Sequence, residues 1–316
     1  MIPADEVSAP LRKARVLLPR RISRRSDLVM GILFVLPAVG FLCLTSLYPL
    51  AYSLVISLGT WDLRYSPLWT FSGLANYGQL FQDPYFLFSL AISVVFAVVT
   101  VAVETVLGMA IALLVTRQGS RGLFIRPARA LLLIPMVMAP IVVGVLWRML
   151  FNTDYGLVNY VLSFFGIHPI NWLAQPTSAY AAIIITDIWE WTPFIVLAFT
   201  SAIMTLPQEL QEAARVDGAT AWQIFWRVNL PVLMPVVIIV VLLRFLDAFK
   251  VVDTVYAMTQ GGPGNATQLM SFWIYQQGLS YFNIGYAAAA SWVFLALVFL
   301  LSFFLIRKRL QQLVRQ

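Results

Sequence analysis

Seven ionisable side chains stand inside stretches that are otherwise apolar. They are Glu104, then Asp187 and Glu190 beside Trp189, Trp191 and Phe194, then Arg244, Asp247, Lys250 and Asp253 at three-residue intervals. Carboxylates and a guanidinium can exchange hydrogen bonds with solute hydroxyls, while Trp and Phe cover the apolar face of the same solute. A few polar groups in a mostly apolar site set a ligand's orientation in this way. The residues that fit this chemistry are Asp187, Glu190, Trp191, Phe194, Arg244 and Asp247. The same charges read equally as ion pairs that lock two helices together without touching a solute, since i, i+3 spacing lays alternating signs along one helix face. Glu104 is equally a helix-packing hydrogen bonder.

The elements that must position these groups follow from composition. The chain is 60% hydrophobic and 11% charged, with a mean hydropathy of +0.83, whereas roughly a quarter of a soluble domain is charged. Spanning the hydrocarbon core takes about 20 apolar residues as a helix. Segments 28–58, 88–116, 130–151, 179–206, 232–258 and 285–306 meet that length. Runs such as VVIIVVLL lack the period-two alternation of barrel strands, so the expected fold is all-α, a polytopic membrane protein with six transmembrane helices. The first segment is longer than a signal-peptide core and has no small-residue cleavage site after it, so it reads as an uncleaved helix. Pro135, Pro140 and Gly144 in the third segment and Pro235 in the fifth are candidate bends.

Basic residues near span ends stay in the cytoplasm. Arg12, Lys13, Arg15, Arg20, Arg21, Arg24 and Arg25 precede the first segment; Arg117, Arg121, Arg126 and Arg129 join the second to the third; Arg307, Lys308, Arg309 and Arg315 follow the last. The outer segments hold only Arg64 and Arg148, while the polar loop carries Arg215 and Arg227 and is expected on the cytoplasmic side. Both termini are therefore expected inside, with a basic tail at 1–27, a membrane domain at 28–306 and a short tail at 307–316. Counting about 1.5 Å of rise per residue from Leu206 and Pro231 places Glu190 roughly 24 Å and Arg244 roughly 20 Å up, with Asp187 and Lys250 both near roughly 29 Å. These heights allow the pairs Glu190–Arg244 and Asp187–Lys250.

The polar loop 206–231 reads LPQELQEAARVDGATAWQIFWRVNLP. Thr205 with Gln208 has capping-box spacing, Pro207 suits a first helical turn and Gly218 lies where a helix would end, so a short helix outside the membrane is expected. A second amphipathic piece, 222–228, returns the chain to the membrane. Glu212-Ala213-Ala214, with Asp217-Gly218 and then Leu230-Pro231, resembles the EAA loop of ATP-binding-cassette importer permeases. Val228 replaces the isoleucine usual in that motif. The segment FSGLANYGQLFQDPYF, with Gly73, Leu74, Asn76, Tyr77 and Pro84, is similar to the carbohydrate branch of those permeases. So is MTQGGPGNAT, with Gly261, Gly262, Pro263 and Thr267, whose glycines and proline compose a turn. The resemblance implies that Glu212, Ala213, Ala214, Asp217 and Gly218 form a cytoplasmic coupling helix. It further implies a sugar site on the fourth and fifth spans and a bacterial plasma (inner) membrane location. The implied partners are a second homologous permease, two ATP-binding-cassette ATPase subunits and an extracytoplasmic solute-binding protein.

Several function classes are excluded or weakened. One Cys, Cys43, and one His, His168, leave no Cys/His metal site and no disulfide. The sequence G-x-x-x-x-G-K-[ST] does not occur, so no P-loop binds nucleotide here, and ATP and Mg are expected on the partner ATPases. Without HExxH or GxSxG, the only enzymatic alternative is an aspartate dyad of Asp187 and Asp247. An ion-coupled secondary transporter would use the same midmembrane carboxylates, but it would leave the EAA-like loop unexplained. The net charge of +7 is spread over tails and short loops; it fits lipid headgroup contact rather than nucleic-acid binding. Arg244 and Lys250 are outnumbered by Glu104, Asp187, Glu190, Asp247 and Asp253, which favours a neutral sugar or polyol over a sugar phosphate.

Overall fold

The structure, a computed structural model, describes residues 24–116 and 132–313. The basic residues from Arg12 to Arg21, those from Arg117 to Arg129 and Arg315 lie outside the described residues. The chain divides into two units, Met1–Tyr52 and Ser53–Gln316. In the first, α1 (Arg24–Leu42) and a π-helical segment Cys43–Leu47 lead into α2 (Tyr48–Ser57). Its apolar side chains, Leu33, Phe34 and Phe41 among them, are exposed, as suits a helix whose solvent is lipid.

In the second unit a hairpin pairs β1 (Gly59–Thr60) with β2 (Thr70–Phe71). The short α3 (Ala75–Leu80) follows, and Asn76 ties it back by donating from Nδ2 to the Ser57 and Gly59 carbonyls at 3.0 and 2.9 Å. Asp83 caps α4 (Pro84–Thr116), accepting from the Tyr85 N–H at 2.8 Å. Beyond the undescribed connection come α5 (132–137), α6 (Pro140–Leu150), α7 (Leu157–Ser163) and α8 (Pro176–Met204). The loop helices are α9 (Gln208–Val216) and α10 (Ala221–Ile224). Then α11 (Leu230–Ala248), α12 (Asp253–Met258), α13 (Met270–Tyr275) and α14 (Ile284–Leu313) complete the chain.

Among the described residues, five helices are long and apolar enough to cross a membrane: Ile32–Ser57, Pro84–Thr116, Pro176–Met204, Ala221–Ala248 and Ile284–Phe304. They match five of the six expected spans. The remaining one, 130–151, is not a continuous helix. Pro140 forces Ala139 out of the helical region, to ψ 134°, so α5 stops at residue 137 and α6 begins afresh. The fifth expected span is also shorter than 232–258. Its helix ends at Ala248, and the Lys250 N–H turns back to the Asp247 carbonyl at 2.9 Å. Asp253 then opens α12, where a carboxylate suits the positive end of a helix dipole.

Three apolar clusters hold the unit together. Phe86, Phe249, Trp273 and Phe294 fill the space between α4, α11, α13 and α14. Phe96, Phe151, Ile183, Val255 and Phe272 join α4, α6, α8, α12 and α13. Ala112, Ile195, Phe199 and Val240 lie deeper along α4, α8 and α11. Gly144, expected as a possible bend, instead allows close packing of α6 on α12. A Cβ there would sit 2.7 Å from the Ala257 Cβ and 3.2 Å from the Thr254 Cα. Replacing Gly144 by Ala is expected to lower stability by about 1–3 kcal/mol through overpacking, and adding A257G should restore part of it, as read by thermal unfolding in detergent.

Proline placement explains two of the three π turns among the described residues, the exception being Gln276–Ser280. Pro49 and Pro231 lack the N–H that an α-helix would use, and their rings crowd the carbonyl four residues earlier. Ahead of each, a five-residue π segment absorbs the misfit: Tyr48 donates to the Cys43 carbonyl, and Leu230 to the Phe225 carbonyl.

Candidate functional site

Arg244 is the hub of the intramembrane charges. It projects from α11 and is 1% exposed. Its Nε donates to Glu104 Oε2 at 2.8 Å and its Nη2 to Glu104 Oε1 at 3.0 Å, a fork-on-carboxylate pair that reaches across to α4. Nη2 also donates to Asp187 Oδ2 on α8. Nη1 stands 3.8 Å from Asp247 Oδ2 and, though buried, has no hydrogen-bond partner among the described residues. Trp191 covers the guanidinium, its ring centroid 5.0 Å from Cζ. One cation therefore clasps three helices.

This pairing replaces the one expected from helical rise. Arg244 takes Glu104 and Asp187 rather than Glu190, and Lys250 takes Asp247, at 3.6 Å, rather than Asp187. Height along each helix was a fair guide, but height says nothing about which way a side chain turns. The expected ladder down one helix is interrupted for the same reason as the fifth span, because Lys250 and Asp253 lie beyond the end of α11. Glu104 now joins the cluster as a residue that the solute-site reading left out. Its signal in the sequence was a lone carboxylate within a long apolar span.

Beside the clasp lies a cavity of about 140 Å³, bordered by Asp187, Glu190, Trp191, Asp247, Lys250 and residues 251–254 at the start of α12. Four of the six expected solute residues, Asp187, Glu190, Trp191 and Asp247, thus share its wall. Arg244 sits behind that wall, spent on its carboxylates. Phe194 faces elsewhere: it packs with the Ala112, Ile195 and Phe199 cluster and touches Trp191 ring edge to face at 6.3 Å. Lys250 and residues 251–254 border the cavity because α11 stops short.

The polar loop forms the second candidate site. Helix α9 is bare of buried side chains, with Glu212, Ala213, Asp217 and Gly218 exposed and Ala214 half-buried. Its end is a Schellman motif: Gly218 adopts φ +80°, its N–H donates to the Arg215 carbonyl at 3.0 Å, and the Ala219 N–H reaches the Ala214 carbonyl at 2.9 Å. The expected capping box at Thr205 and Gln208 is not formed. Pro207 occupies the cap position, and the Thr205 hydroxyl turns back to the Ala202 carbonyl at 2.8 Å. The box occurs one helix later, where Thr220 Oγ1 accepts from the Gln223 N–H at 3.4 Å and Gln223 Oε1 accepts from the Thr220 N–H at 2.8 Å. The stretch 222–228, expected as a separate amphipathic piece, is instead continuous with the membrane helix, Ala221–Ala248.

The GGP turn is tightly built. Gly261, at φ +87°, leaves room for the Phe272 ring, which a Cβ would meet at 3.0 Å. Buried Thr267 donates to the Gly262 carbonyl at 2.7 Å.

Comparison with known proteins places these features in company. The family described as binding-protein-dependent transport system inner membrane component matches residues 19–316. The trehalose/maltose transport system permease protein MalF of Thermococcus litoralis is 37% identical over 276 residues, covering 87% of this chain and 90% of that protein. The lactose transport system permease protein LacF of Rhizobium radiobacter is 33% identical, covering 87% and 92%. Among solved structures, a chain of a bacterial ABC transporter involved in the import of the acidic polysaccharide alginate is similar with a TM-score of 0.76, covering 90% of this chain and 95% of that one; at 21% identity it shares the fold.

Proposed function

Since this chain belongs to the family of binding-protein-dependent transport system inner membrane components, we propose that it is the permease subunit of an ATP-driven importer for a sugar or related polyol. The observation that carries this reading is the exposed α9 helix, closed at Gly218 and joined through the Thr220 cap to one helix that runs on to Arg244. A push on α9 from outside the membrane is delivered through that helix to the residues that border the cavity.

In this reading the chain hydrolyses nothing. ATP and Mg are held by two separate ATPase subunits, against which Glu212, Ala213, Ala214, Asp217 and Gly218 dock. An extracytoplasmic binding protein delivers the solute, and a second, homologous permease completes the pathway. Both termini and the α9 loop face the ATPases, as the distribution of Lys and Arg favours. Asp187, Glu190, Trp191 and Asp247 offer acceptors and an aromatic face to the solute. Arg244 holds the three helices in register beneath them, and Phe194 supports Trp191.

The midmembrane carboxylates keep one other reading in play, ion-coupled transport. Proteoliposomes containing both permeases, the ATPases and the binding protein are expected to take up sugar only with ATP inside the ATPase compartment, and ionophores should leave the rate unchanged. Uptake that persists without ATP and collapses with an ionophore would favour the ion-coupled carrier.

A further inference from the structure

The carboxylates around the cavity are not equivalent. Asp187 is bound by Arg244, Asp247 lies within ion-pair reach of Lys250 and Arg244, and Asp253 is exposed. Glu190 alone borders the cavity while only 3% exposed and without a hydrogen bond or ion pair among the described residues. Among the described residues no cation forms an ion pair with it, although Nη1 of Arg244 has no hydrogen-bond partner. Arg244 has committed Nε and Nη2 to Glu104 and Asp187, and Lys250 pairs with Asp247. A buried acceptor with no partner gains from any donor that a ligand brings, and in a confined site its charge acts strongly on an incoming one.

We infer that Glu190 is the charge filter of this cavity, accepting hydrogen bonds from neutral hydroxylated solutes and from aminated sugars while turning away saccharides that carry carboxylate, phosphate or sulfonate. The inference rests on the reading that this cavity lies on the solute's path. It assigns to Glu190 the selection by charge, and leaves to Arg244 the positioning of the wall behind it.

The test uses the single cysteine of the chain. C43S removes the only thiol, and V251C then places one on the cavity wall. In the detergent-purified importer, at an alkaline pH that keeps the Glu190 carboxyl ionised, the rates of modification by ethylammonium and ethylsulfonate methanethiosulfonates are compared, each divided by its rate with a free thiol. The ammonium reagent is expected to be favoured on the order of tenfold. E190Q should cut that ratio at least threefold, while E190D, which keeps the charge, should preserve it and so separates charge from loss of fold. Glucosamine is expected to slow labelling more than glucuronate at matched concentration. A ratio unchanged by E190Q, equal protection by the two sugars, or a thiol that neither reagent reaches would overturn the inference. Labelling needs no transport, so such a result leaves the importer reading to stand or fall on the ATP and ionophore measurements.

Discussion

Methionine in place of Arg244 is expected to lower the chain's stability by about 3–5 kcal/mol, the usual cost of removing one partner from a buried ion pair. The loss arises because Glu104 and Asp187 would both remain buried without a cation, at a site where the Arg244 and Glu104 side chains have no exposure at all and that of Asp187 has 3%. In detergent this should appear as a fall of roughly 5–10 °C in the unfolding temperature. Neutralising all three groups in E104Q/D187N/R244M should recover more than half of the loss, since amides of the same shape carry a far smaller desolvation penalty. Two results would refute the clasp as described: R244M as stable as the parent chain, or a triple variant no better than R244M. The prediction concerns stability alone, so it holds whether or not a solute ever touches the cavity.

The second large effect is expected at Gly218. Its φ of +80° costs a residue with a side chain about 1–2 kcal/mol, and that strain would fall on the Schellman motif that turns α9 back toward the membrane. Gly218→Val is expected to cut sugar uptake by more than tenfold while ATP hydrolysis continues and the binding protein still captures its solute. Charge reversal at exposed Glu212 should have the same signature without altering the turn. Loss of solute capture in either variant would show that the loop has a different job.

The long apolar helices were legible because hydropathy averages over a whole span, and one misjudged residue changes little. The ends of the loop were legible where a single residue carries the signal, as Gly218 does. Thr205 and Thr220 both head T-x-x-Q sequences, yet only the second forms the box, because Pro207 takes the cap position of α9 and the Thr205 hydroxyl serves the end of α8. The partners of Arg244 were not legible. Glu104 lies 140 residues away, and its choice over Glu190 depends on the rotation of three helices about their own axes. The cavity's 251–254 wall was hidden for a related reason: apolar Val251 and Val252 continue the hydropathy of the span, although the helix has already stopped at Ala248.

The π segment at Phe225–Asn229 carries a consequence for angular phase. A bond that closes five residues back instead of four absorbs one extra residue within the turn, so the residues before it are offset by about 100° from where an unbroken α-helix of 3.6 residues per turn would put them. The azimuth of Trp222 and Trp226 is thereby uncoupled from that of Val240 and Arg244, and the loop end of the helix can face outward without dragging the clasp out of alignment. Deleting one residue from this segment would let the turn close as an ordinary α-helix and leave the α9 attachment close to its present direction, but it would bring the Pro231 ring onto a helical carbonyl.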